Sequence, residues 1–106
     1  MPPPEDQSDG DTITPEEPDW DDVSYVISSQ YRRMVLGQLY AGPATPSQLA
    51  DDTGHAIANV SRALRQLRDR GLVDLLVSED RRKGRVYGIT DTGRLLWEKL
   101  VSEGLV

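Results

Sequence analysis

The stretch TPSQLADDTGHAIANVSRALRQLRDRG, residues 45–71, decides the fold. It opens with Thr45-Pro46-Ser47-Gln48: a hydroxyl suited to an N-cap, proline at the first helical position, and a glutamine able to reach back three residues later. A short helix is expected from there to about Thr53, with Leu49 and Ala50 turned inward. Gly54 suits the left-handed position that stops a helix, and a second helix starts near Ala56 and ends at Gly71, again a terminating glycine. Only a tight turn fits between them. Two helices joined by such a turn form a helix-turn-helix pattern.

Downstream, the period changes. Leu72-Val73-Asp74-Leu75-Leu76-Val77 reads as a strand, Ser78 to Gly84 as a polar, charged turn, and Arg85-Val86-Tyr87-Gly88-Ile89 as the returning strand. A hairpin directly after the second helix of the pair is a wing. Thr90 caps a last helix over roughly 91–104, with Leu95, Leu96, Leu100 and Val101 apolar. Upstream, Gly42 and Pro43 end a helix from about Gln30 to Tyr40, whose stripe is Tyr31, Met34, Val35 and Leu39 and whose N-cap is Ser28 or Ser29. Trp20, Val23 and Ile27 share one face of a short lead-in helix. The expected fold is mainly α with a small β-hairpin (α+β), a winged helix-turn-helix over residues 20–106.

At 100° per residue, Ile57, Val60, Leu64 and Leu67 of the second helix share a face that is expected to point into the core. His55, Ala58, Asn59, Arg62, Arg65 and Gln66 lie opposite, with Ser61 on the flank. Arginine can bond guanine bidentately, asparagine and glutamine can do the same with adenine, and a small Ala58 permits close approach. A solvated helix face would carry similar residues, but this one follows a capped helix and precedes a basic hairpin. The hairpin tip holds Arg81, Arg82, Lys83 and Arg85, cations on a protruding loop that suit phosphate contacts or minor-groove insertion. Ser47, in the first turn of the short helix, joins the candidate DNA contacts. His55 is read as the start of the recognition helix, or as a residue of the turn before it, rather than as a pH sensor.

Charge supports the assignment once it is divided along the chain. The net charge is −6 over 106 residues, but residues 1–30 carry nine acidic side chains and no basic ones. Residues 31–106 carry twelve basic against nine acidic, a net of +3, and residues 55–94 reach +4. Local charge decides what a surface attracts. Residues 1–19, rich in Pro, Asp and Glu, cannot bury enough apolar surface to offset ordering entropy and are expected to be a disordered acidic tail. There are ten Arg but two Lys beside twelve Asp and six Glu, a balance expected of a protein from a cytoplasm with molar salt, the alternative being chance composition in a GC-rich genome.

Other classes fall away. With no cysteine and one histidine, disulfides, thiolate metal sites and His-based clusters are excluded. Asp51-Asp52 has no third ligand nearby and reads as a solvated helix end. No nucleophile-and-base set or phosphate-binding glycine loop is readable, so no enzyme and no cofactor is expected. No apolar run suits a membrane span and no basic-then-apolar start suits a signal peptide, so a cytoplasmic location is expected. Trp20 and Trp97 suit core or dimer packing better than an effector pocket.

The run from Ser29 to Arg94 resembles the winged-helix regulators of the MarR and ArsR groups, especially their haloarchaeal relatives. The carrying pieces are Thr45-Pro46-Ser47-Gln48-Leu49-Ala50, Asn59-Val60-Ser61-Arg62-Ala63-Leu64, Leu67-Arg68-Asp69-Arg70-Gly71-Leu72-Val73, Asp80-Arg81-Arg82 and Ile89-Thr90-Asp91-Thr92-Gly93-Arg94. The resemblance implies a recognition helix, 56–70, in the major groove of double-stranded DNA, a wing, 78–85, on the backbone or minor groove, and terminal helices that build a homodimer. Trp20, Val23, Leu96 and Leu100 are the expected interface. The chain departs from the MarR pattern in lacking its long paired terminal helices and in a wing one residue longer, and it lacks the metal ligands of the ArsR pattern. No small-molecule effector carries over. A winged helix used as a protein-interaction module in a transcription assembly is the alternative.

Because salt screens repulsion among carboxylates, the melting temperature is expected to rise as potassium chloride is added, and deletion of residues 1–18 to leave folding intact. Thermal melts of both chains across one salt series check this; a full-length protein most stable in dilute buffer contradicts it.

Overall fold

The computed structural model describes residues 20–76 and 85–106. The order is α1 (Trp20–Ile27), α2 (Gln30–Ala41), α3 (Pro46–Thr53), α4 (Ile57–Asp69), β1 (Val73–Leu75), β2 (Tyr87–Ile89) and α5 (Asp91–Ser102). The expected tail, 1–19, and the wing tip, 77–84, lie outside the described residues.

Three helices start on a hydroxyl cap. Ser29 accepts from the Arg32 amide at the head of α2 and Thr90 from the Gly93 amide at the head of α5. Thr45 and Gln48 form a full capping box at the head of α3, the Thr45 hydroxyl accepting from Gln48 N at 3.1 Å and Gln48 Oε1 from Thr45 N at 2.9 Å. Such caps satisfy amides that the first turn leaves without partners and contribute about 1 kcal/mol each. Gly54, in the left-handed region at φ 77°, ends α3. Gly71, at φ 76°, ends α4 in a double closure, its amide bonding Arg68 O and the Leu72 amide reaching Leu67 O.

The core is one apolar cluster in which every helix takes part. Val23 and Val26 come from α1, Val35, Leu36 and Leu39 from α2, Leu49 from α3, Val60, Ala63, Leu64 and Leu67 from α4, and Leu96 and Leu100 from α5. Trp97 of α5 lies against Gly37 of α2 so closely that a Cβ at Gly37 would stand 2.6 Å from the indole. The strands pair antiparallel with Val73 opposite Ile89 and Leu75 opposite Tyr87. They are shorter than the strand pattern over 72–77 and 85–89 suggests. Tyr87 also exchanges both backbone hydrogen bonds with Ala44, at 3.0 and 2.9 Å, so the loop between α2 and α3 is sewn to the outer edge of the hairpin.

Two expectations about the core are corrected. Ile57 is 51% exposed rather than inward, because in the first turn of α4 it lies on the flank it shares with the exposed Ser61 and Arg68, at the edge of the face that Val60, Ala63, Leu64 and Leu67 bury. Val23, Leu96 and Leu100 are almost wholly buried inside this single chain. They belong to its own core, so of the four residues expected at a dimer interface only Trp20, 57% exposed, stands free of it.

The start of α5 is locked to the end of α4. Thr90 Oγ1 donates to Gly71 O at 2.7 Å, the Thr90 amide donates to Leu72 O at 3.0 Å, and Gly93 packs directly on the Leu72 carbonyl. A Cβ at Gly93 would collide with that backbone oxygen and stand 2.8 Å from Ile89 Cγ1. Gly93→Ala is expected to cost roughly 1–3 kcal/mol in urea unfolding, as an overpacked site does. Gly42→Ala, where the new carbon meets nothing within 4 Å, is the neutral comparison.

Candidate nucleic-acid interface

Because Val60, Ala63, Leu64 and Leu67 are buried, α4 must present its opposite side outward. Ala58, Arg62, Arg65 and Asp69 are exposed there, with Asn59 and Gln66 half-buried on one flank and Ser61 and Arg68 exposed on the other. The candidates therefore divide into two groups rather than one. Asn59, Arg62 and Gln66 line a cleft of about 170 Å³ against Ser29 and Arg32 at the head of α2. Ser61, Arg65 and Arg68 line a second, of about 260 Å³, closed by Pro46 of α3 and Arg85 at the base of the hairpin. Ser47 is exposed in the first turn of α3. His55 sits in the turn between α3 and α4, half-buried, its ring meeting Tyr31 edge-on with centroids 5.0 Å apart. Arg81, Arg82 and Lys83 lie outside the described residues.

The arginines fall into two kinds. Arg32 is tied in place: Nε donates to Tyr25 O at 2.7 Å, Nη2 to Ser28 Oγ at 2.8 Å, and Nη1 to Gln66 Oε1 at 2.9 Å. Its guanidinium lies 3.9 Å from the Tyr25 ring centre, and that of Arg70 lies 4.0 Å from the same ring while bonding Asp22 at 3.0 Å. Arg94 lies over Tyr40. Arg62, Arg65 and Arg85, by contrast, are exposed and make no ion pair or side-chain hydrogen bond among the described residues. In a chain with 18 acidic and 12 basic side chains, three arginines without a carboxylate partner around one helix face form a surface open to an anionic ligand.

The Arg32 bond also changes what Gln66 offers. Its oxygen faces the guanidinium, so the amide presents mainly its NH₂ donors outward, which suits base or phosphate acceptors better than the two-way pairing with adenine. Arg32 and Arg68 were not among the sequence candidates. Arg68 lies only 20° from Ile57 on the helical wheel, a face the pattern assigned to the core, and Arg32 precedes the helix pair altogether.

At the other end of the molecule, Tyr40 Oη donates to Glu98 Oε2 at 2.7 Å. That hydrogen bond, then desolvation and the Glu98 charge, hold the phenol above its ordinary pKa. Tyr40, Trp97 and Val101 line a shallow, mostly apolar cleft there. Among the described residues no helix is long and apolar enough to cross a membrane.

The family model of the HVO_A0261 N-terminal domain matches residues 20–102, all of α1 through α5. The chain belongs to this family. No curated protein sequence matches it significantly. Among solved structures, the MepR–DNA complex of S. aureus superposes with a TM-score of 0.64 at 24% identity, over 78% of this chain and 70% of that one. NMB1585, a MarR family regulator from Neisseria meningitidis, gives 0.64 at 21%, over 81% and 60%. BpsR of Bordetella bronchiseptica, whose DNA binding is regulated by 6-hydroxynicotinic acid, gives 0.64 at 18%, over 97% and 79%. The chain thus spans less than two-thirds of NMB1585. These likenesses establish the fold of this HVO_A0261 N-terminal domain as the winged helix-turn-helix of MarR-family regulators.

Arg32→Met removes three hydrogen bonds and a stacked guanidinium that join α1, α2 and α4. It is expected to cost about 1–2 kcal/mol in denaturant unfolding, and Arg32→Lys to recover less than half of that, since an ammonium cannot serve three divergent acceptors from one plane.

Proposed function

We propose that the chain is a sequence-specific, DNA-binding transcription regulator acting as a homodimer. The observation that carries this reading is the outward face of α4, where Arg62 and Arg65 stand unpaired beside Arg85. In this reading α4 enters the major groove, with Arg62 and Arg65 on base edges and Asn59, Ser61 and Gln66 on its flanks. Arg85, with Arg81, Arg82 and Lys83 of the wing, holds backbone or minor-groove phosphates, and Ser47 and His55 meet the backbone at the edges of the helix pair. The likeness to a MarR-family protein solved on DNA supports it. Nothing in this reading calls on an enzymatic step or a cofactor.

One recognition helix reads only a short half-site, so two copies related by a dyad are required for a long one. With Val23, Leu96 and Leu100 used in the chain's own core, the exposed apolar side chains of the terminal helices and the segment after them are Trp20, Leu95, Val101, Leu105 and Val106, each at least 37% exposed. They lie on α1, on α5 and just beyond it, at the two ends of the chain.

Selection of duplexes from a random library with the full chain tests the whole reading. The expected product is an inverted repeat with half-site centres about 10 base pairs apart, or a multiple of that. On it, Arg62→Ala or Arg65→Ala should cost roughly 1–3 kcal/mol and relax preference at one position, whereas Arg85→Ala should weaken all sequences alike and reduce the salt slope by about one. Unchanged affinity and preference in both α4 variants would reject the face assignment.

A further inference from the structure

We infer that Ile57 is a specificity-determining residue that reads the 5-methyl group of a thymine in the major groove. The inference rests on the DNA-binding reading above. Seven large apolar side chains are exposed among the described residues: Trp20, Leu76, Leu95, Val101, Leu105, Val106 and Ile57. Six of them belong to the hairpin or to the two ends of the chain, and Ile57 alone belongs to the helix pair. It stands 51% exposed in the first turn of α4, between the exposed Ala56 and Ala58.

The way α4 begins supports an apolar contact at this tip. Helices α2, α3 and α5 start on Ser29, Thr45 and Thr90, whereas α4 starts on Ala56 with no side-chain cap. A serine or aspartate there would satisfy the free amides but would place a hydrated group at the leading end. Ala56-Ile57-Ala58 instead offers a smooth aliphatic tip one turn ahead of Ser61. Arg85 supplies charge of the sign that the phosphates beside the groove require, and Arg62 and Arg65 leave the methyl contact to Ile57.

Thymine is the one base that presents a methyl group in the major groove. A half-exposed β-branched side chain gains by burying that methyl and gains nothing from the polar edge of cytosine in its place. Removing one buried methyl is expected to weaken binding about three- to fivefold.

The test uses the full chain and an enriched duplex from random selection, with each thymine replaced singly by deoxyuridine. The expected result is a three- to fivefold loss at one or two thymines of each half-site. Ile57→Ala should bind the thymine and deoxyuridine duplexes equally, both near the weaker wild-type value, while Ile57→Val keeps part of the discrimination. Thermal melts of both variants verify folding, which half-exposure of the side chain should spare. Enriched sites lacking thymine, wild-type indifference to every replacement, or an undiminished thymine-to-deoxyuridine ratio in Ile57→Ala overturn the assignment while leaving DNA binding intact. A library that yields no enriched sequence overturns the DNA-binding reading and this inference together.

Discussion

Two neighbouring carbonyls, those of Gly71 and Leu72, hold the second half of the molecule to the first. The chain turns out of α4 through the left-handed Gly71, and at that point its backbone oxygens receive both the hydroxyl and the amide of Thr90. Those bonds close the base of the hairpin and, since the same hydroxyl caps α5, also set where the last helix begins. Gly93 completes the joint by having no side chain to keep α5 off the Leu72 carbonyl. The direction of α4, the root of the wing and the seat of α5 are therefore one geometric decision. The Ala44–Tyr87 bridge is a second tie to the same hairpin, made from the loop ahead of α3.

The rest of the architecture keeps the outward face of α4 in place and draws on its candidate residues only at Gln66. Arg32 and Arg70 fasten α1 to one flank and the end of α4 through Tyr25, Asp22 and Gln66. Leu49 of α3 enters the same core as Val60 and Leu64. Arginine is thus used in two ways. Where its plane stacks on a ring and its fork also meets fixed acceptors, as Arg32 and Arg70 do, it acts as structure, and where it stands exposed and unpaired it is available to a ligand.

Much of this was legible in the sequence because it is written in local chemistry. Thr45-Pro46-Ser47-Gln48 and Thr90 announce helix starts, and Gly54 and Gly71 announce helix ends, each through an interaction that spans only a few residues. What stayed hidden depends on distant parts of the chain. A single pair, Ala44 with Tyr87, is too short to leave a period-2 pattern. The helical period marks Ile57 as apolar but not that the neighbouring elements leave the first turn of α4 uncovered. It likewise marks Val23, Leu96 and Leu100 as buried without saying whether the covering surface is the chain itself or another copy. The Arg32 tie to Gln66, which alters the donor pattern at the candidate site, joins residues 34 apart in sequence.

The joint between α1 and α4 also has a bearing on the media in which the domain can hold its shape. Ions in solution weaken attractions that act across a gap, since the Debye length shrinks to about 3 Å at 1 M salt. A guanidinium in van der Waals contact with a phenol ring leaves no room for an intervening ion, and much of its attraction is contact dispersion and ring polarisation. The Tyr25 stack, with Arg32 at 3.9 Å and Arg70 at 4.0 Å, is therefore a fastening whose grip is largely indifferent to ionic strength. The domain can keep α4 aligned with α1 across a wide range of salinity even where the Arg70–Asp22 pair loosens.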